Sequence, residues 1–172
     1  MIKIKSKKIS LYAIFVCLMI LFSWIYIPLP MGIPFTFQVF GILLISFILK
    51  KNSWKILGIY LILGILGLPV FSGFNSGIGT LLGPTGGFLI GFFISSFIYF
   101  FNFNNLISGI FQIIIIYITG ISFFKVYKDI DIFLAIKILV PTFIWLDIFK
   151  LILALIVYKI FLKYMNKGID LS

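Results

Sequence analysis

Long apolar runs alternate along this chain with short interruptions that are polar or rich in proline and glycine. A run of about 20 apolar residues has the length of a helix that crosses a bilayer. Six runs approach that length, and they extend over about residues 10–27, 35–49, 54–68, 84–101, 106–124 and 142–162. The pattern predicts an all-α integral membrane protein with six transmembrane helices in a single membrane domain spanning residues 1–172.

The interruptions differ in character. Residues 27–34 contain three prolines, which remove backbone donors and predict a rigid loop. Residues 102–105 predict a short polar turn, and residues 125–131 form a loop of mixed charge. The apolar stretch 132–140 contains Lys137 and is too short to span, so we expect a short interfacial or connecting helix there.

The longest interruption is a neutral glycine-rich loop between the third and fourth helices. Nine of the fifteen glycines lie between Gly64 and Gly91. A loop this long is usually functional or disordered, and glycine lets the backbone approach a ligand closely. The loop lacks a lysine and the phosphate-binding glycine spacings, so nucleotide binding is not expected. We interpret the loop as one wall of a small-molecule pocket.

A stripe of small residues follows this loop on the fourth helix. Gly87, Gly91 and Ser95 recur every four residues and therefore share one helix face. Small residues allow membrane helices to approach closely, so this stripe predicts helix packing and no chemistry.

The amino-acid composition excludes several classes of function. The chain is 63% hydrophobic, and all fourteen of its basic residues are lysines. It contains no histidine and no glutamate, and its acidic residues are four aspartates. Metal sites and acid–base catalysis need residues that are scarce here. Cys17 is the only cysteine, which excludes an internal disulfide and favours a packing role. The lysines flank the apolar runs, so membrane topology explains them better than nucleic-acid binding.

Lysine distribution predicts the orientation, because cytoplasmic loops are enriched in Lys and Arg. Lysines are concentrated in the 1–9 tail, at 50–55 and at 159–167, whereas the loops 27–34 and 69–83 contain none. We therefore predict cytoplasmic tails at 1–9 and 163–172, a six-helix bundle over 10–162, and both uncharged loops on the external face of the plasma membrane.

Asp147 and Lys150 are the sharpest chemical signal. Both lie within the last apolar run, where an ionisable group costs about 2.5 to 3.5 kcal/mol to insert. A spacing of three residues places them on one helix face. They can present an acceptor and a donor to a ligand, although a structural ion pair that neutralises itself is the alternative.

Other polar residues are weaker candidates for the same pocket. Thr36 and Gln38 follow the proline loop at the start of the second helix, where interhelical hydrogen bonding is an equally good explanation. The remaining candidates lie in the glycine loop, at the start of the fourth helix and in spans three and five: Asn75, Thr85, Tyr60 and Tyr117.

Four segments together resemble the BioY family, the biotin-specific substrate-binding S components of energy-coupling factor (ECF) transporters. The segments are Pro34-Phe-Thr-Phe-Gln-Val-Phe40, Gly64-Ile-Leu-Gly-Leu-Pro-Val-Phe71, Gly77-Ile-Gly-Thr-Leu-Leu-Gly-Pro-Thr-Gly-Gly-Phe-Leu-Ile-Gly-Phe92 and Asp147-Ile-Phe-Lys150. The resemblance covers residues 28–162.

The resemblance implies that biotin binds near the external face, as a transported substrate and not a cofactor. The family's Asp and Lys fall on Asp147 and Lys150, and its Thr and Gln on Thr36 and Gln38. Biotin has a carboxylate and two ureido N–H groups. We assign Lys150 as the partner of the carboxylate and Asp147 as the acceptor for the N–H groups. The resemblance also implies a transmembrane coupling subunit and two ATPase subunits as partners, because this chain has no ATP motif.

The sequence departs from the family at two places. The small-residue stripe on the first helix, which docks on the coupling subunit in the family, corresponds here to Ala13 and Cys17. Trp145-Leu146 stands where family members tend to have Pro-Gly before the aspartate. The alternatives to a biotin-binding subunit are an S component for a different vitamin, an intramembrane enzyme, and a purely structural membrane subunit.

Overall fold

The computed structural model describes residues 2–29 and 32–165, so Pro30 in the proline loop and the tail beyond residue 165, including Lys167, lie outside the described residues. Its α-helices are α1 (Ile2–Trp24), α2 (Gln38–Leu49), α3 (Ser53–Ile65), α4 (Ile78–Leu82), α5 (Gly86–Ser95), α6 (Asn105–Lys128) and α7 (Ile132–Met165). Short 3-10 turns occupy 50–52, 72–74 and 96–101. Six of the helices have ten or more residues, in agreement with the expected helix number.

The proline loop contains a small hairpin that the sequence does not predict. Strand β1 (Tyr26–Ile27) pairs antiparallel with β2 (Phe35–Thr36), so that Tyr26 lies opposite Thr36. The second apolar run therefore begins as a strand, and α2 starts only at Gln38. The hairpin satisfies backbone groups that the prolines would leave without helical partners.

Helix α2 lies in the centre of the bundle. Its ten residues from Gln38 to Phe47 are all buried, and it contacts α1, α3, α6 and α7. A helix that is apolar on every side is expected to be surrounded by other elements or by lipid. Here protein surrounds it, so its twelve residues need not match the thickness of a bilayer.

Two helices, α6 and α7, are long and apolar enough to cross a membrane. The other runs form shorter helices; α2 and α3 have 12 and 13 residues. At 1.5 Å per residue these span roughly 18 to 20 Å, less than the ~30 Å hydrocarbon core of a bilayer. Among the described residues, α6 and α7 are therefore the two helices that are long and apolar enough for a full span.

Helix α7 corrects the predicted division of residues 132–162. The expected separate short helix over 132–140 is wrong, since Ile132–Met165 is one helix of 34 residues with Pro141 inside it. Proline removes the donor that would bond to the Lys137 carbonyl oxygen four residues back, and the helix nevertheless continues through it. Next to the proline, the Thr142 hydroxyl donates to the Ile138 carbonyl oxygen at 2.6 Å within the same helix.

The glycine-rich segment is more ordered than a simple loop. It contains the 3-10 turn at 72–74 and the short helix α4, and Gly67, Gly73 and Gly77 all have positive φ. The polar turn before α6 agrees with the prediction. Asn102 adopts the left-handed conformation, and the Asn104 side chain caps α6 by accepting from the Ile107 amide at 2.9 Å.

Helices α5 and α6 pack closely along the predicted small-residue stripe. A Cβ atom added at Gly91 would collide with the Thr119 hydroxyl, and one added at Gly87 would collide with the Phe123 Cβ and lie 2.6 Å from the Thr119 carbonyl oxygen. Two stripe residues therefore mark a helix interface, as small residues do between membrane helices.

We predict that Gly87→Ala destabilises the protein, because the Thr119 backbone can move away only if α6 moves. Overpacking of this kind costs about 1 to 3 kcal/mol. Gly79→Ala is the matched control, since nothing lies within 4 Å of an added Cβ there. Thermal unfolding in detergent should show a lower midpoint for Gly87→Ala only, and equal midpoints for the two variants would contradict this packing.

Candidate functional site

A cavity lies where the central helix α2 meets α5, α6, α7 and the segments that precede them. It has a volume of about 60 Å³ measured to the centres of water-sized molecules, which is room for several waters. Its lining residues are Ile33, Pro34, Thr36, Gln38, Val39, Ser72, Thr85, Phe88, Leu89, Phe92, Ile116, Tyr117, Phe143, Asp147 and Lys150.

Helical periodicity explains how distant sequence positions reach this cavity. Residues Phe143, Asp147 and Lys150 follow one another at spacings of four and three, and therefore lie on one face of α7. Helix α5 contributes Phe88 and Phe92 in the same manner. The result is a mostly apolar cavity with a few polar groups, which is typical of small-molecule sites.

The polar end of the cavity is an ion pair on α7. The Lys150 Nζ atom lies 2.8 Å from the Asp147 Oδ1 atom. The two residues are only 2% and 4% exposed. Each buried charge is thus compensated by the other, which is the condition under which buried charges are tolerated.

Two aromatic residues complete the surroundings of this ion pair. The Tyr117 hydroxyl on α6 donates to Asp147 Oδ2 at 2.8 Å. Lys150 Nζ lies 4.4 Å from the centre of the Phe35 ring in β2, within the range of a cation–π interaction. Contacts from α6 and from the hairpin therefore hold the charged middle part of α7 in place.

The ion pair retains hydrogen-bonding capacity. A carboxylate offers about four acceptor positions, and an ammonium group has three donors. Among the described residues, Asp147 accepts one hydrogen bond at each oxygen, and Lys150 donates only to Asp147. The pair can therefore accept from and donate to a ligand without breaking any bond that it already makes.

A second polar group enters the cavity from β2 and α2. The Thr36 hydroxyl donates to Gln38 Oε1 at 3.1 Å. Gln38 Nε2 in turn donates to the Tyr60 hydroxyl on α3 at 2.7 Å. Tyr60 is completely buried and does not line the cavity, so it fixes the orientation of the Gln38 amide from behind.

The family assignment comes from comparison with known proteins. The family model of the BioY family matches residues 1–167. The chain is 37% identical over 152 residues to the biotin transporter BioY of Thermotoga maritima, covering 84% of this chain and 89% of that protein. The chain belongs to the BioY family.

Two further comparisons agree with this assignment. The chain is 44% identical over 95 residues to a probable biotin transporter BioY of Pyrococcus horikoshii, covering 55% of this chain and 58% of that protein. Its fold is similar to a crystal structure of the S-component for biotin from an ECF-type ABC transporter, with a TM-score of 0.82, 27% identity and 92% coverage of both chains. The resemblance inferred from the sequence is thus confirmed.

Most polar residues expected at the site of this BioY protein do meet at one cavity. Six of the eight predicted residues line it: Thr36, Gln38, Thr85, Tyr117, Asp147 and Lys150. Tyr60 lies behind Gln38, and Asn75 lies outside the cavity. Asn75 is exposed and donates to the Ser72 carbonyl oxygen at 2.7 Å within its own turn.

Two polar or aromatic contacts at the site were missed from the sequence. Ser72 lines the cavity from the glycine-rich segment, and Phe35 contacts the Lys150 ammonium group. Phe35 carried no sequence signal, because adjacent strand residues point to opposite faces and its neighbour Thr36 was the predicted site residue. Ser72 carried no such signal.

The two departures from the BioY pattern lie away from the cavity. Trp145 is 75% exposed, and Asp147 follows it within the regular helix α7. The aspartate therefore reaches the cavity without a Pro-Gly pair before it. Ala13 and Cys17 are both exposed on α1.

We predict that Lys150→Met destabilises this BioY protein strongly, because it leaves the Asp147 carboxylate buried without its counter-charge. Breaking a buried ion pair from one side costs about 3 to 5 kcal/mol. Thermal unfolding of the detergent-solubilised chain should show this loss.

The double variant Asp147→Leu/Lys150→Met is the control, since it removes both charges. It should unfold at a higher temperature than Lys150→Met alone. If the double variant is no more stable than the single one, the two charges do not compensate each other.

Proposed function

We propose that this chain is a membrane subunit that captures biotin with high affinity at the external face and delivers it inward with an ATP-driven energy-coupling module. The observation that carries the proposal is the buried Asp147–Lys150 pair, which faces a mostly apolar cavity with unused hydrogen-bonding capacity. Intramembrane charges of this kind usually mark a functional site. The names of the relatives support transport over enzymatic activity.

The geometry of the pair favours one end of biotin. Because Nζ of Lys150 and Oδ1 of Asp147 lie 2.8 Å apart, both groups must contact the same part of a ligand. The ureido ring of biotin presents an N–H donor beside a carbonyl acceptor. We propose that Asp147 accepts from this N–H and that Lys150 donates to the adjacent carbonyl oxygen, which revises the assignment of Lys150 to the biotin carboxylate.

The remaining surface of the cavity suits the rest of the ligand. Phe88, Phe92 and Phe143 offer apolar contact to the thiophane ring and the hydrocarbon chain. Thr36, Gln38 and Thr85 supply further polar groups. We propose these residues, with Tyr117, as the binding set; Tyr60 acts through Gln38, and Asn75 shapes its own turn.

The proposed topology places all six helices in the plasma membrane with both termini in the cytoplasm. The uncharged loops 27–34 and 69–83 then lie on the external side, and both supply cavity residues, Pro34 and Ser72. The structural relative belongs to an ECF-type ABC transporter, which supports a coupling subunit and two ATPase subunits as partners. These subunits would provide the energy for release inside.

We predict that Asp147→Asn abolishes high-affinity biotin binding by the purified chain in detergent. The substitution removes the counter-charge of Lys150 and one acceptor for the ureido ring, and losses at buried charged contacts reach roughly a hundredfold or more in affinity. Equilibrium binding of radiolabelled biotin measures the loss.

Asp129→Asn is the matched control, because Asp129 lies in the left-handed turn between α6 and α7, where asparagine is well tolerated. It should bind biotin normally. Unchanged affinity in Asp147→Asn would refute the site. Displacement of bound biotin by thiamine or riboflavin would instead favour an S component for a different vitamin.

A further inference from the structure

The last turn of α1 holds the segment 69–74 of the glycine-rich loop through two adjacent side chains. The Ser23 hydroxyl donates to the Val70 carbonyl oxygen. The Trp24 indole N–H donates to the Pro69 carbonyl oxygen at 2.9 Å. Among the described residues, neither carbonyl accepts any other hydrogen bond. Two consecutive backbone groups of this segment thus depend on α1.

The segment 69–74 rests on α3 as well as on α1. Phe71 is completely buried, and its ring centre lies 5.5 Å from that of Tyr60. The ring also fills the space above Gly64, where even a Cβ atom would collide with it. Trp24 and Phe74 close the other side, with ring centres 5.1 Å apart. Ser72, at the middle of this segment, lines the cavity.

The Ser23 hydroxyl has a second acceptor within its own helix. The Ile20 carbonyl oxygen lies 2.6 Å from Ser23 Oγ, and a hydroxyl carries only one proton. Rotation of this proton towards Ile20 leaves the Val70 carbonyl without its donor. The Ser23 hydroxyl therefore lies between a carbonyl of its own helix and a carbonyl of the segment.

We infer that Ser23 and Trp24 are positioning residues that hold the segment 69–74 over the cavity and thereby slow the dissociation of its ligand. The inference rests on the proposed function, with biotin as the ligand. The two residues touch no ligand themselves; they act through the Pro69 and Val70 carbonyls and, from these, through Ser72.

The test compares dissociation rates of radiolabelled biotin from the purified full chain after addition of excess unlabelled biotin. Ser23→Ala should accelerate dissociation roughly tenfold, because it leaves the carbonyl of the buried Val70 unpaired, and Trp24→Phe should do so independently by roughly two- to fivefold, because its bond to Pro69 is exposed. The association rate should change little. Ser96→Ala is the matched control, since the hydroxyl of this completely buried serine donates, among the described residues, to the Phe93 carbonyl oxygen of its own turn alone.

A fluorescence measurement separates positioning from general destabilisation. With Trp54→Phe and Trp145→Phe, only Trp24 remains as a tryptophan. Adding Ser23→Ala should then increase acrylamide quenching of Trp24, because the segment leaves the indole, whereas adding Ser96→Ala should not. Unchanged dissociation in both Ser23→Ala and Trp24→Phe, or equal quenching in all backgrounds, would overturn the inference.

The outcomes also distinguish this inference from the proposed function. If the unsubstituted chain shows no saturable biotin binding, the proposed function fails, while the quenching comparison still decides whether Ser23 holds the segment. If biotin binds and dissociates at the same rate from every variant, the proposed function stands and the positioning role is refuted.

Discussion

The structure depends on a buried ion pair inside an apolar helical bundle. Asp147 and Lys150 are almost inaccessible to solvent, so each would destabilise the bundle without the other. Tyr117 of α6 donates a hydrogen bond to the carboxylate, and Phe35 of the hairpin lies against the ammonium group. The elements that enclose the cavity are therefore the same elements that stabilise its charges.

The same ion pair can be both a structural element and part of a binding site. The two charges do neutralise each other, as the structural alternative requires. They do so at the surface of a cavity, however, and with donors and acceptors to spare among the described residues. A neutral pair suits a neutral ligand group better than a charged one, because neither charge is left without its partner when the ligand departs.

Local patterns in the sequence predicted what depends on short-range periodicity. The Asp-x-x-Lys spacing placed both charges on one face of α7, and the Gly87 stripe correctly indicated a close helix contact. The interior position of α2 was not predictable, since a run of apolar residues looks the same whether protein or lipid surrounds it. The single helix Ile132–Met165 was not predictable either, since the short apolar stretch 132–140 with Lys137 in it indicated a separate helix.

Long-range contacts escaped prediction for a different reason. The bond from Ser23 to the Val70 carbonyl joins positions 47 residues apart, and the displacement of Tyr60 behind Gln38 depends on how α2 and α3 pack. No periodicity encodes such contacts. They form only when the whole bundle is assembled. For the same reason, the role of the glycine-rich segment is understood from the residues of α1 and α3 that contact it.

A structure of the purified chain with bound biotin tests the central claim most directly. The account predicts that the ureido ring lies in the cavity, with one N–H within hydrogen-bonding distance of the Asp147 carboxylate and the carbonyl oxygen within that distance of Lys150 Nζ. Biotin bound elsewhere, or with its carboxylate at Lys150 and its ureido ring remote from Asp147, would contradict the account.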